Sequence, residues 1–214
     1  MNDAKLVDAV GFDLDNTLYC QTPAITQKIQ EYIISRASVL LQRPLEQVQR
    51  EYTRIYTQLQ SGRRTLEALG ISEAQALVQD ALEHADITSL LQRDERFVSL
   101  FQRLQTSYRL FLLTGSQEQT AHNKLRALGI SPTAFNLSLY AGARYERHDG
   151  SAFRHVAQVF GVPLTRLFFV GDREKVDILP AKQLGVKTAI INASSPHADY
   201  QLTTLYDLEG ILLT

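Results

Sequence analysis

Cysteine is nearly missing from this 214-residue chain: Cys20 stands alone. An intramolecular disulfide is therefore impossible, which points to a reducing compartment and excludes a disulfide-stapled secreted scaffold. Cys20 itself reads as a small filler, because nothing around it in the sequence marks a depressed thiol pKa. Long apolar runs are missing too, none approaching the ~20 residues of a membrane span. The leading residues Met1-Asn2-Asp3-Ala4-Lys5 lack the charged-then-apolar pattern of a signal peptide. A soluble cytoplasmic protein without a membrane partner is expected. Charge of one sign is not in excess either: the net charge is −1, which gives no reason to expect a nucleic-acid partner. The five histidines, His84, His122, His148, His155 and His197, show no metal-ligand spacing and read as surface or loop residues. There is no internal repeat and no low-complexity segment.

What is present is ordinary globular composition, 44% hydrophobic and 21% charged, in a length that suits one domain or one domain with an insertion. Short, wholly apolar runs end in polar residues. Leu6, Val7, Ala9, Val10 and Phe12 lead into Asp13 and Asp15. Leu110-Phe111-Leu112-Leu113 leads into Thr114-Gly115-Ser116, and Leu167-Phe168-Phe169-Val170 leads into Gly171-Asp172. Val186 to Ile191 is a further run, and Leu137 to Tyr140 another. Runs without alternation belong to parallel strands covered on both faces. Helical stretches lie between them: Gln117–Leu128, Ser151–Phe160 and Pro180–Leu184, each followed by glycine. The alternation predicts an α/β fold, a Rossmann-like doubly wound parallel sheet. From Gln21 to Leu91 the pattern is helical throughout. Thr22-Pro23 marks one helix start, Pro44 a second, and Ser72 with Gln75 in a capping box a third. Tyr32, Tyr52 and Tyr56 fall on apolar faces there, as core packing, and Arg63 and Arg64 fall in a loop. The expected division is a core of residues 1–20 and 92–214 and an inserted all-helical segment, 21–91.

In open α/β sheets ligands bind beyond the carboxyl ends of the strands. That rule collects Asp13, Asp15, Thr114 and Asp172 at one edge. Carboxylates two apart favour a bound cation or split pKa values. With Asp172 and Asp177 adding hard oxygen ligands and no thiolate nearby, the donor set suits Mg²⁺. Gly115 lets the backbone approach an anion, and Thr114 offers a hydroxyl. Asn16 and Ser116 flank these groups as candidate substrate contacts. A cation and donors around an oxyanion are what phosphoryl transfer needs.

Phe12-Asp13-Leu14-Asp15-Asn16-Thr17-Leu18-Tyr19 resembles the first motif of the haloacid dehalogenase superfamily. Leu112-Leu113-Thr114-Gly115-Ser116 resembles its second motif, and Phe169-Val170-Gly171-Asp172 with Asp177 its fourth. The helical insertion resembles the cap of the family's helical-cap branch. The resemblance implies a Mg²⁺-dependent phosphomonoester hydrolase acting on a small phosphorylated metabolite. Asp13 would be nucleophile and metal ligand. Asp15 would be acid/base, its carbonyl touching the metal. Thr114 would hold the phosphoryl group, Asp172 would ligate the metal, and Asp177 would ligate or orient it. Asp15 argues against the name-giving dehalogenases, which lack an acid there. The third motif, a lysine in the family, aligns through Phe153 with Arg147, which keeps the charge in a bulkier, planar group; Lys124, Lys175 and Lys182 are the other cations that stand ready. Two alternatives share these residues: a phosphomutase, and a binding or regulatory protein weakened by the exchanged lysine. Asp-Asn-Thr-Leu-Tyr also resembles pyrimidine 5′-nucleotidase-like members, which implies a nucleotide substrate.

Overall fold

The computed structural model describes residues 7–213; Leu6, at the head of the first apolar run, and residues 1–5 lie outside them. The chain divides into two compact units, one running to Cys20 and resuming at Leu91, the other Gln21–Leu90.

The second unit is helical. Helix α1 (Pro23–Leu41) begins with Thr22 as N-cap, its hydroxyl accepting from Ile25 N at 3.3 Å. Pro23 sits in the first turn, where a missing N–H costs nothing. Helix α2 (Leu45–Leu59) follows Pro44. The last two helices differ from expectation. Helix α3 (Gly62–Ala68) is capped by Ser61 and contains Arg63 and Arg64, so these are helical rather than loop residues. Helix α4 (Ala74–His84) starts from Glu73 with no side-chain cap, and the Ser72–Gln75 box does not form. Ile71 and Ala74 are both drawn into the core here, and that burial overrides the local capping signal. Tyr52, 1% exposed, packs among Ile33, Val48, Leu66 and Leu77. Its role is in the core, as the spacing predicts.

The first unit carries six strands, β1 (Ala9–Phe12), β2 (Arg109–Leu113), β3 (Leu137–Leu139), β4 (Leu167–Gly171), β5 (Lys187–Ile191) and β6 (Tyr200–Leu202). They lie in the order β3-β2-β1-β4-β5-β6 with every neighbour parallel. Helices α5 (Glu95–Ser107), α6 (Glu118–Ala127), α7 (Ser151–Phe160), α8 (Leu179–Gln183) and α9 (Leu208–Leu212) accompany them. Period two divides β1, β2 and β4 between two cores. Val10, Phe12, Leu110, Leu112, Phe168 and Val170 join Phe101 and Leu104 of α5, Leu125 of α6 and Leu208 of α9. Ala9, Phe111, Leu113, Leu167 and Phe169 join Phe153 and Val156 of α7 and Ala181 of α8. Each large side chain buried on either face contributes roughly 1.5–3 kcal/mol. This is the Rossmann-like α/β architecture. Gly11 is required by packing: a Cβ there would lie 2.1 Å from the ring of Phe111. No helix among the described residues is long and apolar enough to cross a membrane.

Candidate functional site

Strand order reverses between β1 and β4, so their C-terminal loops diverge and leave a crevice. Phe12 pairs with Leu112 on one side and Val170 on the other. Asp13, Thr114 and Asp172 therefore leave the sheet at nearly the same level. Asp13 N still donates to Val170 O at 2.9 Å, and Thr114 N to Leu139 O at 3.0 Å.

Asp13 is 2% exposed. Its Oδ1 accepts from Arg147 Nη1 at 2.7 Å, and the same nitrogen donates to Asp177 Oδ1 at 2.7 Å. One buried nitrogen thus bridges two carboxylates, a contact that a lysine ammonium also has the form to make. Asp177 lies in a π-helical turn, Glu174–Ile178, and its Oδ2 accepts from Arg173 N at 3.0 Å. It holds Arg147 and its own loop rather than capping α8. Gly171 makes room for it, since a Cβ there would lie 2.5 Å from the Asp177 Cβ. Burial, and then the charges of Asp177 and Asp15, push the Asp13 carboxyl up to about 6 against the pull of Arg147. Burial likewise raises Asp177 and Asp172.

Asp172 Oδ2 accepts from Asn16 Nδ2 at 2.9 Å. Asn16 adopts a left-handed φ of 56°, and its carbonyl accepts from Asn192 Nδ2 at 2.8 Å. So Asn16 braces Asp172. The other oxygen, Asp172 Oδ1, is buried with no hydrogen-bond partner. Asp13, Asp172 and Asp177 each present an oxygen within 4.8 Å of the others. A buried carboxylate oxygen without a hydrogen bond, in ion-pair contact with Arg173 Nε at 3.8 Å and beside two further carboxylates, is costly alone and is satisfied by a hard cation. The residues present therefore fit a divalent metal.

Asp15 faces different partners. Its Oδ1 accepts from Lys124 Nζ at 2.7 Å and from the Tyr19 hydroxyl at 2.6 Å; its Oδ2 accepts from Ser116 Oγ at 2.8 Å. Burial raises its pKa, but Lys124 and these hydrogen bonds outweigh it and hold the carboxyl below its ordinary value. Ser116 touches Asp15, and its N donates to Thr114 Oγ1 at 3.1 Å. Thr114 and Gly115 share a small cavity with Arg147, lined also by Tyr140 and Tyr145. Space around Gly115 is open, with nothing within 4 Å of where a Cβ would stand.

Lys124 and Tyr19 are the residues whose parts in the site the sequence reading does not assign. A signal for Lys124 exists: it interrupts the buried stripe of α6 formed by Ala121 and Leu125. The spare cations divide clearly. Lys124 pairs with Asp15, and Lys182 with Asp199 at 2.6 Å on the surface. Cys20 is exposed.

A family model for haloacid dehalogenase-like hydrolases matches residues 7–185. The chain belongs to that family. Solved structures share its fold across nearly its whole length. A phosphatase of the family from Thermococcus onnurineus is 20% identical with a TM-score of 0.67, over 96% of this chain and 98% of that one. A subfamily IA hydrolase from Geobacter sulfurreducens is 20% identical with a TM-score of 0.67, over 97% of each chain. A 2-haloacid dehalogenase from Pseudomonas syringae is 22% identical with a TM-score of 0.55, over 97% of this chain and 98% of that one. No curated protein matches the sequence.

Proposed function

We propose that this hydrolase cleaves phosphomonoesters of small metabolites through an aspartyl-phosphate on Asp13. The observation that carries this reading is the separate treatment of two neighbouring carboxylates. Asp13 is bridged to Asp177 by Arg147, while Asp15 is held by Lys124, Ser116 and Tyr19. Neighbouring carboxylates with different partners can serve one as nucleophile and one as acid/base in the same site.

Asp13 attacks phosphorus with one carboxylate oxygen, and Arg147 neutralises charge beside it. Thr114 and the open backbone at Gly115 bind the transferring oxygens. Asp15 gives a proton to the departing oxygen and then takes one from the water that hydrolyses the aspartyl-phosphate. Asp13, Asp172 and the Asp15 carbonyl would hold Mg²⁺, with Asp177 behind them orienting Arg147. The cation supplies charge neutralisation at the phosphoryl oxygens. Substrate selection is assigned to the helical segment, as the family resemblance implies. Asp15 sets this chain apart from halide displacement, which requires no proton donor.

The test is Mg²⁺-dependent release of inorganic phosphate from p-nitrophenyl phosphate and a panel of phosphomonoesters. The wild type turns over, and Asp13→Asn loses at least about 10³-fold. Absence of any release above that variant across the panel overturns the reading. Isomerisation of a sugar phosphate without release of phosphate would replace it with a mutase.

A further inference from the structure

Helix α6 buries Ala121 and Leu125, and Lys124 lies on that same face with its side chain 3% exposed. A leucine would pack there without desolvating a charge, so the ammonium is a liability unless its charge is used. It is used on Asp15. Lys124 Nζ donates to Asp15 Oδ1 at 2.7 Å and to Ser116 Oγ at 3.0 Å, and Ser116 Oγ donates onward to Asp15 Oδ2 at 2.8 Å. The Tyr19 hydroxyl adds a second donor to Oδ1 at 2.6 Å. A carboxylate offers about four acceptor sites, two on each oxygen. Three are engaged, both of Oδ1 and one of Oδ2.

We propose that Lys124 is a positioning residue that, through Ser116 and alongside Tyr19, locks the Asp15 carboxyl so that Oδ2 is the oxygen that exchanges protons. The proposal rests on the reading of Asp15 as acid/base. In the first half-reaction the ester P–O bond breaks as Asp13 bonds phosphorus, and the departing oxygen takes the proton from Oδ2. In the second, water bonds phosphorus, its proton passes to Oδ2, and the bond from phosphorus to Asp13 breaks to release phosphate. Both transfers need the carboxyl at one fixed place, and a side chain free to rotate forfeits that alignment.

The experiment is rapid mixing with 2,4-dinitrophenyl phosphate and phenyl phosphate in the presence of Mg²⁺. The first leaving group needs no proton and the second does. For Lys124→Met we expect a burst of dinitrophenol close to one per site, followed by turnover slowed about 10–100-fold. With phenyl phosphate the burst disappears, because the first step slows as well. Lys124→Arg recovers most of the rate. Tyr19→Phe gives the same pattern at smaller size and stands in if Lys124→Met does not fold. A purely structural role lowers burst and turnover together for both substrates, and that result overturns the proposal, as does wild-type turnover in Lys124→Met. If the wild type cleaves neither ester, the phosphatase reading fails separately. Crystal structures of wild type and Lys124→Met (or Tyr19→Phe) then decide: an Asp15 carboxyl that has turned away supports the lock, and one that has not moved overturns it.

Discussion

In the helical unit most ion pairs among the described residues join positions close in sequence, and each keeps its side chains at least a quarter exposed. Arg63 and Glu67, one turn apart on α3, meet at 3.1 Å with each side chain about half exposed. Two of its buried polar atoms, the Tyr52 hydroxyl and Thr65 Oγ1, have no hydrogen-bond partner. The sheet unit has exposed pairs as well, such as Arg93 with Glu95, but adds a buried cluster. Arg147, Asp13 and Asp177 are no more than 9% exposed and come from separate segments of the chain. Exposed local pairs contribute little to stability, whereas a buried charge depends wholly on its partner. A fold gains nothing in stability from placing such a cluster in its interior, so the cluster marks where chemistry, rather than stability, governs the choice of residues.

Substitutions at four positions would break or sharpen that contrast. The largest effect is expected at Arg147. Arg147→Met should cost about 3 kcal/mol in urea denaturation and about 10²–10³-fold in phosphatase turnover. Arg147→Lys should keep most of both, because one nitrogen makes both contacts. Next comes the metal: at 100 times its dissociation constant, Mg²⁺ should stabilise the wild type by about 2.7 kcal/mol. Calorimetric scans of Asp172→Asn should show little or none of that shift. In the helical unit, Tyr52→Phe removes a buried unpartnered hydroxyl and should be neutral or stabilising by about 1 kcal/mol, read as a higher melting temperature. Smallest of all, Glu67→Gln should change stability by no more than about 0.5 kcal/mol. A larger loss there would remove the difference between the two units.

β1, β2 and β4 are legible in the sequence because their buried positions are apolar throughout. Leu167 to Val170 declares itself in this way, as do the acidic residues that follow β1 and β4. Tyr200–Leu202 is not legible: three residues carrying a glutamine make no apolar run, and the strand exists only because β5 is there to pair with it. Helix α3 is not legible for a similar reason, since seven residues opening on Gly62 have weak local preference and gain their order from burying Leu66. Within the site, Asp13, Asp15, Thr114 and Asp172 follow from strand ends. The parts played by Lys124 and Tyr19 do not, because a side chain's partner depends on which loop the sheet brings alongside. Asn16 and Ser116 likewise look like substrate contacts in one dimension and brace Asp172 and Asp15 in three.

The central position of β1 also has a consequence in time. Asp13 is made early, yet its guanidinium partner lies 134 residues further along the chain, and Asp172 lies 156 residues beyond Asn16. At ordinary synthesis rates of about 5–20 residues per second, β1 waits on the order of ten seconds for β4. Until then the ribosome carries a chain whose Asp13 has neither Asp172 nor Asp177 beside it, and whose first strand has one open edge. Pairing over such separations is slow, and a chain truncated before β4 would carry Asp13 without Asp172 and Asp177 to complete the cluster.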